Sequence, residues 1–135
     1  MKFTLRPVYK TDYQFLYNLL SDRNDYENIS HHAIPTYEEH SQFWENVPYK
    51  DDYIILIRDI PVGMAYVSYK NEVGIHFIKD KENNKIRKDI INTILNKFKG
   101  EQLFFNVSSK NKPYIRLLRR MKFNLIEHTY ATNIL

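Results

Sequence analysis

The stretch that most restricts what this chain can fold into is Asn111 to Phe123, N-K-P-Y-I-R-L-L-R-R-M-K-F. An apolar, strand-like run precedes it (Leu103, Phe104, Phe105, Asn106, Val107), and a second opens at Phe123. A strand, a helix opened by Asn and a strand opened by an aromatic residue therefore follow one another without a linker. Upstream, the apolar spacing extends the pattern. Residues 2–8 read as a first strand. Thr11 with Gln14 forms a capping box ahead of the helical stripe Phe15, Leu16, Leu19 and Leu20. Thr36 with Glu39 forms another ahead of Phe43, Trp44 and Val47. Tyr53–Arg58 and Val62–Tyr69 read as an antiparallel hairpin across Asp59-Ile60-Pro61.

From Glu72 to Ile78 the residues alternate, with Val73, Ile75 and Phe77 on one face and Glu72, Gly74 and His76 on the other. A long helix follows through Ile86, Ile90, Ile91, Ile94, Leu95 and Phe98, with Gly100 placed to end it. A strand over 102–107, a helix over 110–121 and a final strand pair within 123–134 complete the order β-α-α-β-β-β-α-β-α-β-β. The class is α+β, or mixed α/β.

At 135 residues, with 43% hydrophobic and 27% charged residues, the chain reads as a single globular domain, 1–135. Eleven Tyr and eight Phe are enough rings for some to line a polar cleft. Cysteine is absent, which removes disulfides, thiolate metal sites and a Cys nucleophile. The opening M-K-F-T-L-R carries no apolar signal region, and the longest apolar run, Tyr53 to Ile57, is far short of a membrane span. A soluble, cytoplasmic protein is expected. The net charge of +4 (20 Lys and Arg against 16 Asp and Glu) favours anionic partners only mildly.

The C-terminal block resembles the GNAT N-acetyltransferase superfamily, whose pattern runs Asn, Ala-Ile-x-Leu-Tyr, then Gly-Phe. Asn111 to Phe123 fits that spacing without a gap, with Leu118 in the place of the Tyr and Lys122 in the place of the Gly. L-R-P-V at 5–8, I-P-T-Y-E-E-H-S-Q-F-W at 34–44 and I-P-V-G-M at 60–64 resemble the branch containing amino-sugar and ribosomal-protein N-acetyltransferases. The resemblance implies a central, mostly antiparallel sheet flanked by helices, and acetyl-coenzyme A or another acyl-coenzyme A as donor.

It also implies a pyrophosphate loop between the Glu72–Ile78 strand and the long helix. Here that loop is K-D-K-E-N-N-K-I-R-K, residues 79–88, a degenerate version without glycine. Asn83 and Asn84 are the residues best able to adopt positive φ in its place. They join Lys85, Ile86, Arg87, Asn111 and Tyr114 as candidate coenzyme contacts. Phe77 and Ile78 are candidates through their main chain, because in the superfamily a backbone N–H of this strand holds the thioester carbonyl. A plain solvated turn with a basic helix start is the alternative for 79–88.

Without a Cys nucleophile, direct transfer in a ternary complex is expected. His76 and Glu72 are the candidate bases, although either also reads as an ordinary strand residue. Tyr114, one helical turn before Leu118, is the candidate acid for the departing thiolate. His40 shares a helical face with Phe43 and Trp44 and reads as structural. Asp25, Tyr26, Glu27 and His31 are candidate acceptor contacts, since carboxylates and a phenol attract a cationic amine. No metal is expected, because His31 and His32 bring no spaced ligand set.

The expected acceptor is a small-molecule or peptide amine, with no membrane partner and a monomer or homodimer as the assembly. Two rivals stand beside this reading. One is a catalytically degenerate member that binds coenzyme A or a protein or nucleic-acid partner. The other is a nucleic-acid module built on Arg116, Arg119, Arg120 and Lys122, a cluster that also reads as the solvated face of the last helix.

Overall fold

The computed structural model describes residues 2–22 and 34–132. Its strands are β1 (Thr4–Arg6), β2 (Asp51–Ile57), β3 (Ile60–Val67), β4 (Glu72–Phe77) and β5 (Phe104–Phe105). Its helices are α1 (Tyr13–Ser21, led by a 3₁₀ turn at Lys10–Asp12), α2 (Tyr37–Glu45), α3 (Asn84–Lys97) and α4 (Lys112–Arg120). The five strands lie in sequence order, antiparallel from β1 to β4, with β5 parallel to β4. This is the expected mixed α/β class with a mostly antiparallel sheet.

Period-two alternation divides the sheet between two cores. Ile54, Leu56 and Met64 pack with Leu16 and Leu19 of α1 and Trp44 of α2. Ile55, Ala65, Val67, Val73, Ile75 and Phe77 pack with Ile86, Ile90, Ile91 and Ile94 of α3 and with Tyr114 and Leu117 of α4. The sheet thus separates an α1/α2 side from an α3/α4 side. Gly63 lets β3 and β4 approach, since a Cβ there would meet the His76 carbonyl oxygen at 2.3 Å.

The caps show how local signals fare. Thr36 and Glu39 form the expected box: the Thr36 hydroxyl accepts from Glu39 N–H (3.2 Å) and the Glu39 carboxylate from Thr36 N–H (2.8 Å). At α1 the expected Thr11–Gln14 box is not formed, and Gln14 instead donates to Asn18 (2.8 Å). Buried Asp12 takes over, accepting from Tyr9 N–H (2.7 Å) and pairing both oxygens with Arg6 (2.7 and 2.8 Å). The Arg6 hydrogen bonds hold the Asp12 carboxyl below its ordinary range despite burial. That pairing therefore stabilises the fold above the unfolded carboxylate pKa and fades as acid protonates Asp12.

The β2–β3 turn is the two residues Arg58 and Asp59, with φ of 53° and 62°, rather than Asp59–Pro61. Both central residues at positive φ match the twist of a tight hairpin. Pro61 sits inside β3 opposite Leu56, beside a break in register after Ile55, where its missing N–H disturbs the ladder least.

The C-terminal expectation is corrected most. The strand expected over 102–107 pairs only at Phe104–Phe105, and among the described residues 123–132 there is no strand. Phe123 packs edge-on against Phe105 with centroids 5.0 Å apart. Leu125, Ile126 and Tyr130 beyond it are 72%, 66% and 89% exposed, so this segment gains no core to hold it in a ladder.

Candidate active site

The sheet opens where β4 outruns β5. Parallel pairing joins Glu72 to Phe104 and Val73 to Phe105, whereas β4 continues to Phe77. Glu72 C=O accepts from Ser68 N–H (2.8 Å) and Ile78 N–H donates to Val62 C=O (2.8 Å), so even-numbered backbone groups face β3. Alternation turns the peptide groups of Ile75 and Phe77 to the opposite edge, past the end of β5. Phe77 thus keeps its candidate main-chain position. Ile78 does not, because its N–H is already bonded to β3.

Arg87 lies at this open edge. It shares the helical spacing of Ile90, Ile91 and Ile94, which carries it inward, away from the exposed basic residues beside it. It is only 4% exposed. One guanidinium nitrogen donates to Ile75 C=O (3.3 Å), another pairs with Glu82 (2.6 Å), and the group lies 4.3 Å from the centre of the Tyr114 ring. Its Nε is buried with no hydrogen-bond acceptor among the described residues. Tyr114 is buried beneath it as part of the core, and burial pushes its phenol up while Arg87 opposes that shift. Leu118 packs against the same core.

At the start of α3, Asn83 has φ −149° and caps the helix, its Oδ1 accepting from Lys85 N–H (2.9 Å) and Ile86 N–H (3.1 Å). The expected positive φ at Asn83 is therefore absent and falls at Asp80 instead (68°). Asn84 donates to Pro113 C=O (3.4 Å) and ties the start of α3 to that of α4, next to Asn111, whose side chain makes no cap bond. Between α3 and α4 runs a groove of about 580 Å³. Lys85, Lys88, Arg120 and Lys122 rim it, and Leu95, Leu117, Met121 and Phe123 line its apolar part.

The α1/α2 side differs in chemistry. Tyr49 stacks on Tyr66 (centroids 4.0 Å apart, 16° between planes), and the His76 ring lies 6.3 Å from Tyr66. Tyr66 reaches across onto β4, for a Cβ on Gly74 would stand 2.2–2.6 Å from its Cε2, Cζ and hydroxyl. Asp52, opposite Tyr66 in the ladder, has its carboxyl raised chiefly by burial, with a Val8 backbone bond opposing. Tyr13 is raised by burial first, then by the nearby carboxylates Glu45 and Asp52.

Of the two candidate bases, Glu72 accepts from Asn106 Nδ2 (2.7 Å) where β4 and β5 are still paired. Four residues of strand separate it from His76, roughly 13 Å, so the two cannot address one amine. His40 is buried and accepts from Trp44 Nε1–H (3.3 Å), as a structural residue does. Asp25, Tyr26, Glu27, His31 and His32 lie outside the described residues. Among the described residues no cluster of His, Cys, Asp and Glu is placed to hold a metal, and no helix is long and apolar enough to cross a membrane.

Tyr66 and Asp52 do not stand out in the sequence. The available signal is Gly74, an interior strand glycine that marks the close approach of another group.

No family model matches the chain, and no curated protein matches it. Solved structures do. The chain superposes on a domain from Methanocaldococcus jannaschii DSM 2661 with TM-score 0.77 at 20% identity, covering 95% of this chain and 92% of that one. An acetyltransferase from Thermus thermophilus gives 0.73 at 14% identity, over 94% and 90% of the two chains. The spermidine N-acetyltransferase from Vibrio cholerae, in complex with CoA and spermine, gives 0.73 at 15% identity over 87% and 78%. The fold is one that acetyltransferases use.

Proposed function

We propose that the chain transfers an acetyl or short acyl group from acyl-coenzyme A to a primary amine, directly within a ternary complex. The observation that carries this reading is the β4 edge left open beyond Val73, between a basic groove and an acidic, aromatic face. An unpaired strand edge offers donors to a thioester: we assign the Ile75 N–H to its carbonyl and the Phe77 N–H, on the same edge, to the coenzyme chain behind it. Lys85, Lys88 and Arg120 would hold the anionic end of the coenzyme by side-chain charge, since Asn83 already caps the Lys85 and Ile86 amides. Asn111 would flank the donor at the start of α4.

When bound, the coenzyme supplies the activated acyl group. The chain's task is to orient it, admit a neutral amine and move one proton. His76, on the α1/α2 face of β4, is the assigned base that takes the first proton from an incoming ammonium and so delivers the neutral amine. The acceptor enters from that face, where Asp52 favours a cation before it is deprotonated, and Asp25, Tyr26, Glu27 and His31 remain the acceptor contacts assigned from the sequence.

Calorimetry with coenzyme A, followed by an acetyl-coenzyme A screen over amino sugars, N-terminal peptides and polyamines, tests the reading. Spermidine and spermine belong in the screen because the Vibrio cholerae neighbour carries spermine. Micromolar coenzyme binding and turnover on at least one amine are expected. No binding at millimolar coenzyme A defeats the proposal.

A further inference from the structure

Resting on the acyltransferase reading, we infer that Tyr66 is a catalytic residue of this site, carrying the proton from the acceptor nitrogen to the departing sulfur. Where the superfamily-like pattern has a Tyr, this chain has Leu118, which packs in the core and has no proton to give. Tyr114, the nearest phenol on α4, is 7% exposed beneath Arg87. The open edge of β4 is instead approached by a phenol from the opposite face of the sheet.

The geometry fixes where that phenol ends. Tyr66 stands on β3 opposite Gly74, and its ring tip lies on the Gly74 position, with Cε2, Cζ and Oη within 2.2–2.6 Å of where a Cβ would be. Gly74 is the first residue of β4 past the last β5 pair at Val73. The hydroxyl therefore hangs over the point where the sheet opens, about one residue, ~3.3 Å of strand, from Ile75. Tyr49, stacked at 4.0 Å, holds the ring in this pose. The only side chain compatible with it beneath is none at all, which explains a glycine in the middle of a strand.

A phenol is both donor and acceptor, so one group can serve both ends of the transfer. As the C–N bond forms and the C–S bond breaks, the electron pair of the latter leaves on sulfur. Tyr66 gives that sulfur its proton and takes back the proton shed by the nitrogen. The net change is one proton from N to S, with Tyr66 restored.

Tyr66→Phe keeps the ring and removes the hydroxyl, and Gly74→Ala keeps the hydroxyl and displaces it. Each should lower kcat roughly 10²-fold on the best amine of the screen while leaving the coenzyme KM within twofold. The double variant should lose little more than either alone. Tyr114→Phe should lower kcat less than Tyr66→Phe does.

A readout independent of turnover is the ¹³Cζ tyrosine resonance that Tyr66→Phe deletes from the NMR spectrum, which should shift when acetyl-coenzyme A is added. Wild-type kcat in Tyr66→Phe, a larger loss in Tyr114→Phe, or an unmoved resonance overturns the inference while the acyltransferase reading stands. Absence of turnover in the wild type removes both.

Discussion

The two sides of the sheet solve different problems with different residues. The α3/α4 side is built on aliphatic packing: Ile86, Ile90, Ile91 and Ile94 are all within 1% of full burial, and its charge is displayed on the groove rim. The α1/α2 side is built on rings, with Trp44, Tyr49 and Tyr66 in contact and carboxylates set among them. Aliphatic side chains fill a core without directional demands, leaving the helix surface free to carry cations. Tyrosines pack as hydrophobes and still present a hydroxyl, so the other side can be core and site at once. A net charge of +4 conceals this division, because it sums a basic groove with an acidic face.

The comparison breaks most readily at the groove. Replacing Lys85, Lys88 and Arg120 together with Ala should weaken coenzyme A about 10²-fold in calorimetry, and more at low salt than at high, since exposed charges are screened. The amine KM should not follow, and if it does the two sides are not separate sites. Next in size is Asp52→Asn, expected to raise the amine KM about tenfold with the coenzyme KM unchanged.

The same variant carries a signed pH effect. Burial raises the Asp52 carboxyl in the folded state, so its ionisation opposes folding once the pH exceeds the unfolded value of about 3.9. Thermal unfolding should show Asp52→Asn slightly more stable than wild type at pH 7, and the gain should vanish in acid. The smallest expected effect sharpens the comparison from within the helix. Asn83→Ala should lower stability by about 1 kcal/mol by removing the cap. It should nonetheless tighten coenzyme A a few-fold, because the Lys85 and Ile86 amides become available to phosphate.

Elements written in short-range chemistry are legible in the sequence. The Thr36–Glu39 cap, the alternation of β4 and the isoleucine stripe of α3 each depend on residues a turn or two apart. Features settled by distant partners are not. Asp12 displaces the Thr11–Gln14 cap because Arg6, on another element, reaches back to it. Arg87 reads with its basic neighbours along the chain, whereas its place on the apolar stripe turns it inward onto Ile75 C=O. Tyr66 acquires its position from the β3–β4 register, which opposes it to Gly74. The final strand pair is expected from the aromatic opening at Phe123, but such an opening does not supply a surface to lie against.

The strictly sequential strand order has a kinetic consequence. Strands β2, β3 and β4 are joined by short turns and pair with their nearest neighbours along the chain, so loop closure for them is inexpensive in entropy. The β4–β5 pairing must instead wait for the whole of α3 to be laid down, and it holds at only two residue pairs. Folding should therefore begin in the meander and finish at that junction. The cleft is then bounded by the last contacts to form and the first to open in hydrogen exchange, which leaves its width adjustable while the rest of the sheet stays closed.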